Sequence, residues 1–409
     1  MAYDVCIVGA GPVGGALGCR LAGAGLRVAM VDRAALPPME HPDFDGRAYA
    51  IAAGSRRLLE DAGLWAALPL PVGPIEQICV SDGRVGRPAS RLRLHFDVRK
   101  LQEPEGALGW MVEARSFRMA LNARLHALES VELFAPAEAT VTRQADSAQV
   151  RLSTGENFTA RLVVAAEGRD SRLRREAGIP AQRWPYHQHG IVCAIAHERP
   201  HERVALEHFL PSGPFAQLPM AASETEPNLS AIVWTERSAD APRYMALDNE
   251  AFGREIARRL GDHLGAVRPV GRRWMYPLSA MYVHRVVAER LAIVGDAAHG
   301  IHPIAGQGLN LGLRDAIALS ELLIDTHAAG GDIGDRALLK RYEAARRVDV
   351  ISMLTATDVL DRLFSSDSKV VRLVRDVGIA AVDRLPRLKR AFMRQAMGLD
   401  RGHGPAANP

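Results

Sequence analysis

Residues 295–315 read GDAAHGIHPIAGQGLNLGLRD, and their types and order suit the binding of a polyol next to a delocalised negative charge. The apolar run Leu291, Ala292, Ile293 and Val294 reads as a buried strand. Gly295 then lets the backbone turn, and Asp296 offers a carboxylate to a hydroxyl-bearing chain. Pro303, Gly306, Gln307 and Gly308 lead into a helical pattern of Leu309, Leu311, Leu313 and Ile317, with Asn310 in its first turn. Several N–H groups without partners converge at such a helix start, where the helix dipole favours negative charge. A reduced flavin, negative near N1 and the C2 carbonyl, suits that seat, so Pro303, Gly306, Gln307 and Gly308 are expected to position its reactive ring. No protein acid or base is assigned: His299 and His302 read as hydrogen-bonding loop residues. The competing reading of the stretch is ordinary loop chemistry of an α/β protein.

These residues need a scaffold, and the first thirty residues supply one. Residues 3–8 are apolar and β-branched, residues 12–24 are Ala- and Leu-rich with a helical period, and Arg27 to Val31 read as a second strand. The intervening GAGPVG matches the dinucleotide fingerprint: Gly9 for the tight turn, Gly11 for backbone approach to a pyrophosphate, Gly14 for helix–strand packing. Asp32 at the end of the second strand suits ribose hydroxyls. The fingerprint alone does not separate FAD from NAD. Arg47 is a candidate for the pyrophosphate or for a surface carboxylate, and Arg115, near the start of a helix running to His126, for the cofactor's ribose or phosphate. A helix is expected from Ser55 to about Leu68. From Trp184 to Met281 the pattern turns to strands, with one helix near 249–264, before the chain returns to the nucleotide fold at Leu291.

The chain has 409 residues, 48% of them hydrophobic, enough for a large core. The four cysteines, Cys6, Cys19, Cys79 and Cys193, show no CxxC spacing and read as reduced thiols, and no metal site is expected. No secretory leader is read at the N-terminus and no apolar run spans a bilayer, so the expected location is cytoplasmic, if at a membrane then peripheral on its inner face. The net charge of +4 hides an asymmetry: residues 362–402 carry ten Lys or Arg against four Asp. That segment reads as helices with a solvated basic side, or as a contact for an anionic membrane surface or a partner subunit. Nucleic acid is not an expected partner, since no basic patch carries interleaved stacking aromatics.

Three segments in order, GAGPVG at 9–14, AAEGRDSRLR at 165–174 and GDAAHGIHPIAGQGLNLG at 295–312, resemble the motifs of group A flavoprotein monooxygenases, the class of para-hydroxybenzoate hydroxylase. Within it, EHFLPSGPFAQLPM at 207–220 and DRLPRLKRAFMRQAMGL at 383–399 are similar to the ubiquinone-biosynthesis hydroxylase family. The resemblance implies an α/β fold: a Rossmann-like FAD-binding domain from 1–70, 100–180 and 285–345, a β-sheet substrate domain from 71–99 and 181–284, C-terminal helices over 346–402 and a disordered tail at 403–409. It implies bound FAD, held by Gly9, Gly11, Pro12, Val13, Gly14, Asp32, Arg33, Arg47 and Arg115 on the ADP side. Gly295 and Asp296 would meet the ribitol, and Pro303, Gly306, Gln307, Gly308, Leu309 and Asn310 the isoalloxazine. NAD(P)H and O₂ enter as co-substrates, and the substrate is a lipophilic prenylphenol hydroxylated on its ring. The middle motif usually reads Ala-Asp-Gly; here Glu167 replaces the aspartate, which keeps the charge but changes its reach. An apolar lining is expected from Phe209, Phe215, Leu218, Trp234 and Tyr276. The rival functions are hydroxylation of another aromatic metabolite, reduction of a prenyl chain without O₂, and a non-catalytic FAD-bound subunit of a lipid-biosynthesis complex.

Overall fold

The computed structural model describes residues 2–37, 43–87, 93–100, 106–364, 394, 397 and 398. Its first sheet orders five parallel strands as Leu291–Ile293, Asn157–Ala165, Ala2–Val8, Val28–Val31 and Val131–Phe134. Both faces of the inner strands are largely buried, as their nearly continuous apolar sequences require, while Val131–Phe134 at the edge is only partly covered. Val5, Ile7 and Met30 face the helices Pro12–Gly23, Ala114–Ala127 and Gln307–Ala328. Cys6, Val8 and Val31 face the opposite way, against the hairpin Ala139–Arg143 and Ala148–Leu152 and against Leu173 and Ile179.

The second sheet has eight strands, in the order His299–Gly300, Val267–Val283, Ala181–His197, Leu229–Arg237, Gly213–Pro219, Val204–Leu210, Gln77–Asp82 and Arg93–Asp97. All its neighbours are antiparallel except Val204–Leu210 with Gln77–Asp82. Alternation along the strands gives it two distinct faces. Ile191, Cys193, Phe215, Ile232 and Trp234 pack beneath the helices Ala241–Met245 and Asn249–Leu260, while Ala194, Ala216, Leu218 and Ala231 form the other face with Ile75 and Met111. A three-stranded sheet, Ala48–Ala52, Gly109–Glu113 and Gly73–Ile75, contributes that Met111.

The helix expected from Ser55 to Leu68 is shorter, Ala53–Asp61, because Gly63 takes a left-handed φ of 71° and turns the chain. The last helix, Arg336–Phe364, packs Val350, Met353 and Leu354 against Leu311. Apart from the end of that helix and residues 394, 397 and 398, the basic segment 362–402 and the tail 403–409 lie outside the described residues. Among the described residues no helix is long and apolar enough to cross a membrane, and no cluster of His, Cys, Asp and Glu could hold a metal ion. Cys6, Cys19 and Cys193 are buried free thiols that burial pushes up to about 12, which leaves them unreactive at neutral pH.

Candidate active site

One cleft of about 1080 Å³ runs from the first helix to the second sheet. Gly9, Gly11, Pro12, Val13, Gly14, Asp32 and Arg33 line one end of it. The three fingerprint glycines have three separate reasons to lack a side chain. Gly9 has φ of 108°, and a Cβ on it would meet the Ala166 carbonyl oxygen at 2.4 Å. A Cβ on Gly14 would lie 2.0 Å from the Gly9 carbonyl oxygen, so this contact sets how closely the helix sits on the strand. A Cβ on Gly11 meets nothing within 4 Å: that glycine borders open cleft. Asp32 accepts from the N–H of Ala10 at 2.7 Å and of Ala34 at 2.8 Å, which fixes the carboxylate at the strand end.

Gly295, Asp296, Pro303, Gly306, Gly308 and Leu309 line the middle of the same cleft. Asp296 is 59% exposed and lies 3.8 Å from the Arg169 guanidinium, which in turn donates to the Ser279 side chain and carbonyl. Gly306 occupies the N-cap of Gln307–Ala328 in the left-handed region, φ 64°, and no side chain caps the helix. Its first turn is thus left without a side-chain cap where Gly306, Gly308 and Leu309 border the cleft.

Asn310 and Gln307 stand differently. Asn310 is buried; its Oδ1 accepts from the Ala52 N–H at 2.8 Å and its Nδ2 donates to the carbonyls of Ala50, at 2.8 Å, and Gly306. Its amide ties the helix start to strand Ala48–Ala52 instead of facing the cleft. Gln307, also off the cleft wall, accepts a long bond from Arg314 at 3.5 Å. Nor do Arg47 and Arg115 line the cleft. Arg47 pairs with Asp45 at 2.6 Å and lies over Trp274, and Arg115 pairs with Glu113 at 2.7 Å beside Phe44. Each has found an acid two residues away, so a local ion pair holds the guanidinium.

Glu167 lines the cleft but turns its carboxylate to the next helix, accepting from Ser171 Oγ at 2.5 Å and from the Leu173 N–H at 3.1 Å. It thus takes up a first-turn N–H of Arg172–Glu176, whose N-cap is Ser171. His302 is buried against Tyr186 and Gln188, and His299 donates from Nε2 to Asp315 at 2.6 Å. Asp315 was not singled out from sequence, yet it organises the loop: it also accepts from the Gly295 N–H at 2.9 Å and from Arg346 Nε at 2.7 Å. Burial alone pushes its carboxyl up, and His299 and Arg346 reverse this and hold it below its ordinary value.

The far wall of the cleft is Val192, Leu218, Ala231 and Val233 of the second sheet together with Met111. Of the five aromatic and aliphatic residues expected as lining, only Leu218 is there. Phe215 and Trp234 point to the opposite face of the sheet, Phe209 packs on Ile304, and Tyr276 is exposed. The wall is built from smaller side chains, which leave room for a flat ring.

The glycine cradle, the uncapped helix and the volume of the cleft all fit an FAD molecule. The FAD binding domain family matches residues 2–357. The chain is 48% identical to the ubiquinone hydroxylase UbiL of Rhodospirillum rubrum over 97% of this chain and 89% of that protein. It is 32% identical to the 3-demethoxyubiquinol 3-hydroxylase of Escherichia coli, over 97% and 98% of the two chains. Among solved structures, p-nitrophenol 4-monooxygenase PnpA of Pseudomonas putida superposes with a TM-score of 0.77 at 17% identity, covering 98% of this chain and 100% of its own. PqsL of Pseudomonas aeruginosa, a probable FAD-dependent monooxygenase, gives 0.73 at 23% identity over 93% and 100%; these two likenesses show the fold. The chain belongs to the FAD-dependent monooxygenase family that contains the ubiquinone hydroxylases.

Proposed function

We propose that this protein hydroxylates the aromatic ring of a polyprenylated phenol in ubiquinone biosynthesis, with FAD bound and NAD(P)H and O₂ as co-substrates. The observation that carries the proposal is the continuity of one cleft from the glycine cradle, past the uncapped helix start, to an apolar wall. Kinship with ubiquinone hydroxylases over nearly the whole chain supports it. On this reading Gly9, Gly11, Gly14 and Asp32 hold the ADP half of the cofactor and Asp296 its ribitol. The helix start at Gly306–Leu309, with Pro303, faces the ring system. Bound FAD supplies the redox chemistry and the activation of O₂; the protein binds, orients and excludes water. The small side chains of Val192, Ala231 and Val233 admit the phenol ring and shield it from solvent.

Oxygen uptake decides the matter. Purified holoenzyme given NADPH or NADH and a 2-polyprenylphenol is expected to consume O₂ in step with hydroxylated product. Saturation of the prenyl chain without O₂ uptake establishes a reductase instead, and no turnover at all establishes a non-catalytic subunit.

A lipophilic substrate resides in membrane, and the ten basic residues against four acidic ones in 362–402 favour an anionic surface. We infer a cytoplasmic protein, peripheral on the inner face of the membrane. The full chain is expected to sediment with vesicles containing an anionic lipid and to be released by salt. Equal binding to neutral vesicles, or none to either, rejects this placement.

A further inference from the structure

Glu207 stands on the cleft face of the second sheet without a polar partner. Its register neighbours across the sheet are Val80 on one side and, in sequence, Ala216, Val233 and Val192 on the other. Residues opposite one another on adjacent strands point to the same face. Val233 and Val192 line the cleft, so the row, Glu207 included, belongs to the cleft side. Only the methyl group of Ala216 separates Glu207 from Val233 in this row. Two residues along the same strand, Phe209 packs against Ile304 of the Ile304–Gly306 turn. Glu207 itself is not part of the cleft wall, but its strand joins the loop that would face the flavin ring to the sheet face whose Val192 and Val233 would face the substrate.

The side chain is only 7% exposed, and among the described residues it makes no hydrogen bond or ion pair. A buried carboxyl without a partner is costly, and such groups are kept where a ligand completes them. We propose that Glu207, two strands from Val233 on the cleft face of the sheet, is the hydrogen-bonding partner of the substrate's phenolic hydroxyl at that end of the cleft. The inference rests on the reading of this protein as a prenylphenol hydroxylase. Burial raises the carboxyl to about 8, so at neutral pH it carries its proton and can both donate to the phenol oxygen and accept from the phenol O–H. A neutral acid also adds no negative charge beside the electron-rich ring.

The test compares 2-prenylphenol with its methyl ether, which keeps the ring and chain but cannot donate. Binding is read from the perturbation of the flavin spectrum, and turnover from O₂ uptake and product. The wild-type holoenzyme is expected to favour the phenol by roughly ten-fold. Glu207→Leu should bring the two affinities together by weakening the phenol about ten-fold, with FAD content retained and NADPH oxidation uncoupled from product. Glu207→Gln, which still donates and accepts, should keep most of the preference. An unchanged phenol-to-ether ratio in Glu207→Leu overturns the proposal, whatever happens to stability. Glu207→Ala is the second variant, and failure of both to fold also overturns it, because a carboxyl needed for folding has a structural partner. Absence of wild-type turnover removes the functional reading, while the binding ratio still reports on the hydrogen bond.

Discussion

Gly11→Ala is expected to give a folded, colourless protein, and Gly14→Val to give little folded protein at all. The two glycines lie three residues apart in one motif, but their surroundings are opposite. At Gly14 a Cβ would be 2.0 Å from the Gly9 carbonyl oxygen and 2.8 Å from the Ala166 Cβ. Neither can retreat: the first is backbone of the turn and the second lies at the end of the central strand. The helix must move off the sheet, at a cost of about 3 kcal/mol or more, a large part of the stability of an ordinary domain. At Gly11 a Cβ meets no protein atom within 4 Å, and the backbone has φ −65° and ψ −178°, which alanine adopts readily. Stability of the apoprotein should therefore change by less than about 0.5 kcal/mol. The added methyl instead occupies the place where a pyrophosphate must approach the backbone, and FAD affinity should fall at least about 100-fold. Thermal melts of the apoproteins together with flavin absorbance of the purified variants separate the two effects. A Gly11→Ala protein that retains one FAD per chain would show that the pyrophosphate does not pass there.

What could be read from sequence in this site is what local backbone geometry demands. Gly9, Gly14 and Gly306 sit within a few residues of the turns they serve, two of them at positive φ, so their type carries the information. Residues whose partners are distant in the chain were harder to place. Asn310 was expected beside the cofactor, but its amide is committed to strand residues 258 and 260 positions away. Asp315 depends on Arg346 and His299, which become neighbours only when Arg336–Phe364 packs on Gln307–Ala328. Phe215 and Trp234 were misplaced for a different reason: large apolar residues were favoured, and strand parity was not applied. Leu218 pairs with Ala231, whereas Phe215 pairs with Trp234, and an odd offset along each strand puts these pairs on opposite faces. The parity was present in the sequence, and with it Ala231 and Val233 would have been chosen instead.

Asp315→Ala is expected to cost about 3–5 kcal/mol and to release FAD as well. The carboxylate is buried and satisfies three donors: the Gly295 N–H, His299 Nε2 and Arg346 Nε. Its removal strands the Arg346 guanidinium, which retains Asp349 at 2.6 Å but loses its buried partner. It also frees Gly295, the turn that presents Asp296 to the cleft, so the ribitol contact should weaken along with the fold. Asp315→Asn keeps the shape and loses the charge, and should cost less, about 2 kcal/mol. The charge has a pH signature. Because the folded-state carboxyl lies below its ordinary value of 3.8, its stabilising contribution is complete above that value and disappears as pH falls through the folded one. The stability gap between wild type and Asp315→Asn should thus be full at neutral pH and close on acidification below about 4. Calorimetric melts across that range check the sign. A gap that widens in acid, or an Asp315→Ala protein within about 1 kcal/mol of wild type, would contradict the role of this ion-pair network in holding the loop.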